Sequence, residues 1–404
     1  MTSHQPHSPL DGIRILDFTI YQNGPWATVM LADMGADVIK IEAPPGGDPG
    51  RNLGRPDAGP NAVSAYFETM NRNKRSMVLD LGKDEGRRLL HKMVPHADVV
   101  VQNFRYGVAE RLGLDHATLS RYNPKIICAS VTGFGRKGPH AKHRVFDTLG
   151  QARGGLIDAL RRGGDEERVV PGPSGIGDQS GAIMLAYSIM LALFARERFG
   201  IGQDVEISQL GSQMTLQGLG INSRLFEPGA ATLRSGTKSA MFMTYRCKDG
   251  KWIALAAVHT QTYFEQFCSA VGHLELLADD RFKSQESRSR NGQDLLYALD
   301  AVFIERTRDD WLAHLYPLDI ICTPVQSYAE LPSDPQVIAN DYIVELDHPV
   351  RGKIKQVGIP TKLSATPGRI RHTSPKLGQN TNEVLREFGF TQAEIDVARR
   401  QGVT

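Results

Sequence analysis

Three segments near the start of the chain decide the fold: IRILDF (residues 13–18), a helical pattern over 26–34, and ADVIKIE (36–42). Both apolar runs are rich in β-branched residues, which favour strands, and a stretch of helix length separates them. Strands that alternate with helices form right-handed crossovers and a mostly parallel sheet. The alternation continues through a helical pattern at 83–94 and three further strand-like runs: MVLDL (77–81), ADVVVQ (97–102) and KIICASV (125–131). The sequence therefore predicts a Rossmann-like α/β domain whose sheet is covered on both faces.

A long apolar helix follows this alternation. A Pro- and Gly-rich loop at 170–177 leads into a helix over about residues 179–197, which ends before Gly200, a plausible C-cap. A second helical stretch covers 209–226, and the segment at 227–239 has the composition of a linker.

The character of the sequence changes after Met241. A strand is predicted at 252–257 and helices near 261–271 and 308–315. Thr391 and Glu394 form a capping-box pattern that predicts the start of the last helix. We therefore expect a large Rossmann-like domain that begins with residues 1–224, a small α+β domain at 225–325, and a C-terminal segment, 326–404, that returns to the large domain.

The composition is that of an ordinary soluble globular protein and excludes several classes. Of 404 residues, 41% are hydrophobic and 23% are charged, and 47 Lys and Arg against 45 Asp and Glu leave a formal charge of +2. A nucleic-acid-binding protein usually carries a basic face that shifts this balance, so no nucleic acid is expected as a partner. The four cysteines are scattered, which argues against a disulfide framework or a zinc site and fits a reducing compartment.

The sequence predicts neither export nor membrane insertion. The first nine residues, MTSHQPHSP, lack the apolar segment of a secretory signal. The most apolar run, AIMLAYSIMLALF (182–194), is shorter than the roughly 20 residues of a membrane span and favours a buried core helix. We expect a cytoplasmic protein with no membrane partner.

The sequence GPSGIGDQSG (172–181) is the most suggestive local feature. Glycines on both sides of Asp178 let the backbone approach a ligand closely, and amides at a helix start stabilise an anion. One interpretation is that Asp178 caps a helix that begins at Gln179. The other is that the same amides keep Asp178 ionised, with a low pKa, as a carboxylate nucleophile. The pattern alone favours the capping role, and the two roles are not exclusive.

Basic side chains follow two strands of the predicted sheet. In an open α/β sheet, ligands bind outside the carboxyl ends of the strands. Cations at that edge suit a polyanion such as a nucleotide phosphate, although an ordinary solvated surface gives the same pattern. The residues concerned are Arg105 and Arg111 after one strand, and Arg136, Lys137, Lys142 and Arg144 after the other.

Other catalytic motifs are missing from the sequence. It contains no GxSxG elbow, no P-loop and no HExxH, so serine-hydrolase, NTPase and zincin chemistry lack support. The first strand–helix turn, at 19–25, contains only Gly24 and lacks a dinucleotide fingerprint. His140 and His143 have no evident third ligand nearby, and no metal is expected.

Read together, these segments resemble the class III CoA-transferase family, which includes formyl-CoA transferase and carnitine-type CoA-transferases. The resemblance covers nearly the whole chain, and many motifs in the same order are more specific than any one of them. They are PLDGIRILDFT, GADVIKIEAPPGGDPGR, NRNKRSMVLDL, VVVQNFRYGVAERLGLD, SVTGFGRKGP, GDQSGAIMLAYSIMLALFARERFGIGQDVEISQ, HPVRGKIKQVGIPTKLSATP and LGQNTNEVLREFGF.

The resemblance implies an enzyme that moves CoA from an acyl-CoA donor to a carboxylic acid acceptor, without ATP or a metal. It implies that Asp178 is the nucleophile and forms an aspartyl-CoA thioester, and that Gln22 helps to orient the acyl groups. It also implies an interlocked homodimer. The residues expected along the coenzyme and beside the nucleophile are Asn23, Leu79, Asn103, Phe104, Arg105, Arg111, Arg144, Phe146 and Asp147.

The chain also departs from the formyl-CoA transferases. Ala43 replaces an Arg, Gly82 replaces a Lys, and no glycine-only loop matches in the 225–260 region. These departures disfavour formyl and oxalate as the substrate pair.

Two alternative functions remain open. The first is an acyl-CoA racemase of the same fold, which uses a His–Asp pair to exchange an α-proton; the histidine of that pair is Phe146 in this sequence, and phenylalanine cannot transfer a proton. The second is a non-catalytic acyl-CoA-binding subunit, which the intact Asp178 disfavours.

Overall fold

A computed structural model describes the chain except residues 1–6, 55–63, 161–170, 174, 228–238 and 258–259. The predicted linker at 227–239 lies almost wholly outside the described residues. The chain divides into two compact units, Met1–Ile221 with Ala339–Thr404, and Asn222–Ile338.

The first unit is built on a six-stranded sheet in which every neighbouring pair of strands is parallel. The strands are β1 (Arg14–Asp17), β2 (Asp37–Glu42), β3 (Lys74–Val78), β4 (Val99–Gln102), β5 (Ile127–Thr132) and β6 (Gln203–Ser208). Their order is β3-β2-β1-β4-β5-β6, which is the order of the Rossmann fold. The predicted α/β class with a parallel sheet is confirmed.

Two strands differ from the prediction. β3 covers Lys74–Val78 instead of 77–81, because the buried side chains of Lys74 and Ser76 make its first half look polar. β6, with the sequence QDVEIS, was not predicted as a strand. It lies at the edge of the sheet and alternates apolar and polar residues, so it lacks the continuous apolar run of the central strands.

Helices of the first unit cover both faces of the sheet. Ile15 and Leu16, adjacent on β1, point into separate apolar clusters. Ile15 packs with α1 (Asn23–Asp33) and α8 (Ile176–Phe199), and Leu16 packs with α3 (Asp84–Met93) and the two C-terminal helices. This alternation is the period-2 arrangement of a strand. The helices are α1 (Asn23–Asp33), α2 (Ala65–Asn71), α3 (Asp84–Met93), α4 (Val108–Leu112), α5 (His116–Leu119), α6 (Asp147–Arg153), α7 (Leu156–Ala159), α8 (Ile176–Phe199), α9 (Gln209–Leu216) and α10 (Gly218–Phe226). Of these, α10 continues into the second unit.

The long helix α8 has one buried and one exposed side. Leu185 and Ile189 are fully buried against the sheet, and Gly200 ends the helix in the left-handed conformation. The apolar stretch at 182–194 is the middle of this helix, which continues beyond it at both ends to 24 residues. Within the described ranges, α8 is the single helix long and apolar enough to span a bilayer, and 44% of its most apolar window is buried in the protein. Core helices of soluble proteins share this composition.

The second unit has a core of its own around a small antiparallel sheet, in which β8 (Trp252–Leu255) pairs with both β7 (Thr244–Arg246) and β9 (Cys322–Val325). Tyr245, Phe267, Phe303 and Trp311 are fully buried in one cluster, and the Trp311 indole donates to the carbonyl of Phe303 at 2.9 Å. The elements are β7 (Thr244–Arg246), β8 (Trp252–Leu255), β9 (Cys322–Val325), α11 (Gln261–Val271), α12 (Glu275–Ala278), α13 (Gln285–Arg290), α14 (Gly292–Phe303), α15 (Arg308–Leu315) and α16 (Pro335–Ala339), the last crossing into the first unit.

The C-terminal segment belongs to the first unit. An antiparallel pair, β10 (Ile343–His348) and β11 (Gly352–Val357), is followed by α17 (Thr381–Glu387) and α18 (Gln392–Arg400). The capping box at Thr391 and Glu394 is confirmed at the start of α18. Val384 and Ile395 from these two helices are buried in the cluster against the sheet, so the chain end completes one covered face.

Candidate active site

A cleft of about 730 Å³ opens at the carboxyl ends of β1, β4 and β5. The strand order reverses between β1 and β4, and open α/β sheets bind their ligands outside such a switch point. The loops after these strands and the start of α8 form the wall. Of the residues expected from the sequence, those that line the cleft are Gln22, Asn23, Asn103, Phe104, Arg105, Arg144, Phe146 and Asp178.

Asp178 lies in the first turn of α8 but does not cap the helix. The helix begins at Ile176 after Gly175, so the predicted start at Gln179 is wrong. The carboxylate of Asp147 performs the capping role: its Oδ2 accepts from the amide of Gly175 at 2.9 Å, and its Oδ1 accepts from the amide of Asp178 at 3.0 Å. The amides of Gly175 and Asp178 therefore donate to Asp147, and no other described backbone amide is seen to bond the Asp178 carboxyl.

Two glycines make this arrangement sterically possible. Gly175 has a φ of +88°, which L side chains rarely adopt, and a Cβ there would lie 2.4 Å from Nε2 of Gln22. A Cβ on Gly177 would lie 2.7 Å from Oδ1 of Asp147. The motif GIGD thus brings the start of α8 close to both the β1–α1 loop and α6.

The pKa of Asp178 is raised. Burial disfavours the charged carboxylate, and the negative charge of Asp147 adds to the effect, so that the pKa of Asp178 rises to about 7. The expectation of a low pKa is wrong because the stabilising amides bond to Asp147 instead. A raised pKa makes the carboxylate more basic and so a better nucleophile, and near neutral pH it is still partly ionised.

The loop between β1 and α1 is held by amide side chains. The side chain of Asn103 bonds both the amide and the carbonyl of Ile20, at 2.9 and 2.7 Å, and donates to Oδ1 of Asn23 at 2.9 Å. The Gln22 amide lies 3.4 Å from the carbonyl of Gly175. Gln22 and Asn23 therefore lie at the junction of the first loop, the β4 loop and α8.

A buried ion-pair network contacts the backbone of this loop. Lys40 pairs with Asp48 at 2.8 Å and Lys74 with Asp17 at 3.0 Å, and all four side chains are fully buried. The Lys40 ammonium also donates to the carbonyl of Thr19 at 2.8 Å, and Oδ1 of Asp48 accepts from the amide of Tyr21 in the same loop at 3.1 Å. This network was not predicted from the sequence, although the lysine inside the apolar run VIKIE indicates a buried charge that needs a partner.

Several cations line the outer part of the cleft. The side chains of Arg105, Lys142 and Arg144 are exposed, whereas Arg136 is already paired with Asp204 across β6. The Lys142 ammonium lies 5.4 Å from the ring centre of Tyr106. The cleft therefore offers positive charge to an anionic ligand on the side formed by the β4 and β5 loops.

Three expected residues lie elsewhere. Leu79 is 2% exposed and packs in the core beside the sheet instead of lining the cleft. Arg111 is exposed on α4 and is not among the lining residues. Asp147 contacts the start of α8 as described and lies behind Asp178. Conversely, Gln209 lines the cleft and donates to Oδ1 of Asp178 at 2.7 Å, a contact that our sequence reasoning did not foresee.

The sheet order and the position of the cleft define a ligand-binding α/β protein of the Rossmann-like class. Comparison of the sequence with known families identifies the class of protein more closely. The chain belongs to CoA-transferase family III, whose sequence model matches residues 10–381. The resemblance to this family and the assignment as a family III CoA-transferase are thereby confirmed.

Relatives with specific activities are similar over their full length. The chain is 32% identical to the succinyl-CoA–D-citramalate CoA-transferase of Chloroflexus aurantiacus, over all of both chains. It is 33% identical to the formyl-CoA:oxalate CoA-transferase of Afipia carboxidovorans, over 97% of each chain. The crystal structure of a CAIB/BAIF family protein from Brucella suis covers 95% of this chain and 100% of its own, with a TM-score of 0.84 and 29% identity.

Proposed function

We propose that the protein moves CoA between an acyl-CoA and a small carboxylic acid through an aspartyl-CoA thioester on Asp178. The observation that carries the proposal is the position of the Asp178 carboxyl, on the wall of a cleft at the switch point and with a pKa of about 7. The two named relatives act on different acids, so for this chain the proposal extends only to an organic acid as acceptor.

The proposed exchange uses one carboxylate twice. The Asp178 carboxylate attacks the donor thioester carbonyl, which gives a mixed anhydride and CoA thiolate. The thiolate attacks the aspartyl carbonyl and expels the donor acid as its carboxylate, leaving aspartyl-CoA thioester. The acceptor carboxylate attacks that thioester and releases the thiolate again. The thiolate then attacks the acceptor carbonyl and regenerates Asp178. Each thioester bond is replaced by another of similar energy, and no net proton is consumed.

In this mechanism, the residues that line the cleft orient the acyl group and bind the coenzyme. Gln22 and Asn23, held by Asn103 and by the start of α8, orient the acyl group near Asp178. Phe104 and Arg105 follow β4 and line the path of the pantetheine arm and adenine. The exposed cations of the cleft bind the phosphates of the coenzyme.

Replacing Arg144 with Ala tests the placement of the phosphates. Charge-assisted contacts to phosphate contribute roughly 1.5–3 kcal/mol each, so we expect CoA binding to weaken about ten- to hundredfold in Arg144→Ala, as measured by calorimetry. Lys137→Ala is the matched control, since Lys137 is an exposed cation of the same loop that does not line the cleft. Equal affinities in the two variants would show that the phosphates bind elsewhere.

The pH dependence of kcat/KM is expected to follow the titration of Asp178. Because its pKa is raised to about 7, the carboxyl is protonated and not nucleophilic at lower pH. We expect kcat/KM to be level above about pH 8 and to fall about tenfold per pH unit below about pH 6. An acid limb near the ordinary Asp pKa of about 4 would contradict this reading of the site.

We further propose that the protein is a homodimer, interlocked as the family resemblance implies. The outer side of α8 supports this proposal. Ile183, Tyr187, Leu191 and Phe194 recur at helical spacing and are 50–60% exposed, and an apolar stripe of this kind is typical of a protein interface. Light scattering on the purified chain tests the oligomeric state.

A further inference from the structure

Gln209 is the first residue of α9, and its amide contacts the oxygen that changes charge in the proposed reaction. The side chain is 2% exposed, and its Nε2 donates to Oδ1 of Asp178 at 2.7 Å. It also lines the cleft beside Asp178. A buried donor this close to a nucleophile has both the position and the low-dielectric surroundings to act electrostatically.

Gln209 and Gln213 lie one helical turn apart on the face of α9 that contacts α8. Gln213, one turn later, donates to Oγ of Ser180 on α8. Gln217, one further turn on, donates to the carbonyl of Gly154 at 2.9 Å. The spacing of four residues is that of one helix face. Gln213 therefore holds α9 to α8 one turn from Gln209, whereas Gln217, just past the end of α9, contacts Gly154 instead.

Two glycines on the facing helix end make room for Gln209 and Gln213. A Cβ on Gly150 would lie 2.8 Å from Cδ of Gln209, and a Cβ on Gly154 would lie 2.6 Å from Cβ of Gln213. Gly150 and Gly154 are themselves one helical turn apart. The chain therefore places its smallest residues where the two glutamines need space.

We propose that Gln209 is a catalytic residue of the exchange, which stabilises the oxyanion that forms on Oδ1 of Asp178 whenever the aspartyl carbonyl is attacked. This inference rests on the proposed function, because it assigns a role within the aspartyl-CoA mechanism. Gln209 itself carries no charge and does not titrate in any step of the reaction.

The chemistry separates the two oxygens of Asp178. Since Gln209 donates to Oδ1, Oδ2 attacks the donor thioester and becomes the bridging oxygen of the anhydride, while Oδ1 becomes its carbonyl oxygen. When the CoA thiolate forms its bond to Cγ, the π electrons move onto Oδ1. When the Cγ–Oδ2 bond then breaks, the donor acid departs with Oδ2 and the aspartyl carbonyl is restored. Attack by the acceptor carboxylate on the thioester passes through the same charge on Oδ1, so Gln209 acts in both the formation and the breakdown of the aspartyl thioester.

The test replaces Gln209 with Leu, which is similar in shape but has no donor. Loss of one oxyanion donor lowers kcat about a hundredfold, whereas KM for the acyl-CoA changes by less than about threefold. The acid limb of the pH profile moves to higher pH, because the charged form of Asp178 loses a hydrogen bond. Gln209→Glu, nearly isosteric, keeps the experiment decisive if the leucine variant does not fold, and its added negative charge moves the limb in the same direction.

Gln217→Leu, at the residue just past the end of α9, is the matched control. The variant removes a packing contact without touching Asp178. We therefore expect kcat to stay within about twofold of wild type and the acid limb to stay at the same pH. A merely structural role for Gln209 predicts similar losses in both variants.

The outcomes separate this inference from the proposed function. Acid-quenched enzyme is digested and analysed by mass spectrometry after mixing with acyl-CoA. Suppose that the wild-type enzyme carries CoA on Asp178. If the Gln209 variants then have the same kcat and the same acid limb as the wild type, the proposed role of Gln209 is wrong. If wild type carries no adduct on Asp178 while it turns over, the aspartyl mechanism fails instead.

Discussion

Asp178→Asn is expected to lose CoA transfer by a factor of about a thousand or more, because the side-chain amide is a far weaker nucleophile than a carboxylate. The variant keeps the size of the side chain, and the amide of residue 178 still donates to Oδ1 of Asp147. CoA binding is therefore expected to stay within a few-fold of wild type. Initial rates of acyl-CoA exchange and calorimetric titration with CoA measure the two quantities separately.

Asp178→Asn is also expected to change how the stability of the fold depends on pH. The pKa of Asp178 is about 7 in the folded chain, above its ordinary value of 3.8, so ionisation of this group costs stability as pH rises between these two values. Asp178→Asn does not titrate. Its stability relative to wild type is therefore expected to be greater at pH 8 than at about pH 5, and an equal difference in melting temperature at both pH values would contradict the raised pKa.

Lys40→Met is expected to destabilise the fold by about 3–5 kcal/mol, the usual cost of removing one partner from a buried ion pair. Burial alone would lower the pKa of Lys40, but the carboxylates of Asp48 and Asp17 raise it, so the lysine is charged in the native state. Methionine fills similar space but leaves Asp48 without its cation and the carbonyl of Thr19 without its donor. Urea unfolding followed by circular dichroism measures the change.

An exposed pair provides the control for this prediction. Lys353 lies 2.5 Å from Glu345 on the β10–β11 ribbon, and its side chain is 70% exposed. Lys353→Met is expected to leave the urea midpoint unchanged, because solvent screens such pairs. A Lys40 variant as stable as this control would show that the buried network does not hold the first loop.

The central sheet could be predicted from the sequence because its strands are apolar runs separated by helices. β1, β2 and β4 fall within the predicted stretches and β5 extends one residue beyond its stretch, because a strand covered on both faces consists mostly of apolar residues. β3 and β6 did not follow this rule. The first contains a buried lysine whose partner, Asp17, lies far away in the sequence, and the second is an edge strand with alternating polarity.

The candidate site could be predicted only in part. The motif around Asp178 and the loops at Gln22 and Asn103 lie together in one cleft, as strand-end positions in a parallel sheet must. The capping role and the pKa of Asp178 were wrong, because both depend on Asp147, thirty-one residues away, which takes up the helix amides. The Gln209 contact likewise depends on packing between α8 and α9, which the local sequence does not show. The cytoplasmic location and the absence of a metal stay predictions.

The most direct test of the account is to identify the residue that carries the intermediate. Purified protein is mixed with an acyl-CoA that it turns over, without acceptor acid, then trapped with hydroxylamine, digested and sequenced by mass spectrometry. We expect a hydroxamate on Asp178 in the wild type and none in Asp178→Asn. A modification on any other residue, or no modification under conditions in which CoA is exchanged, would contradict it.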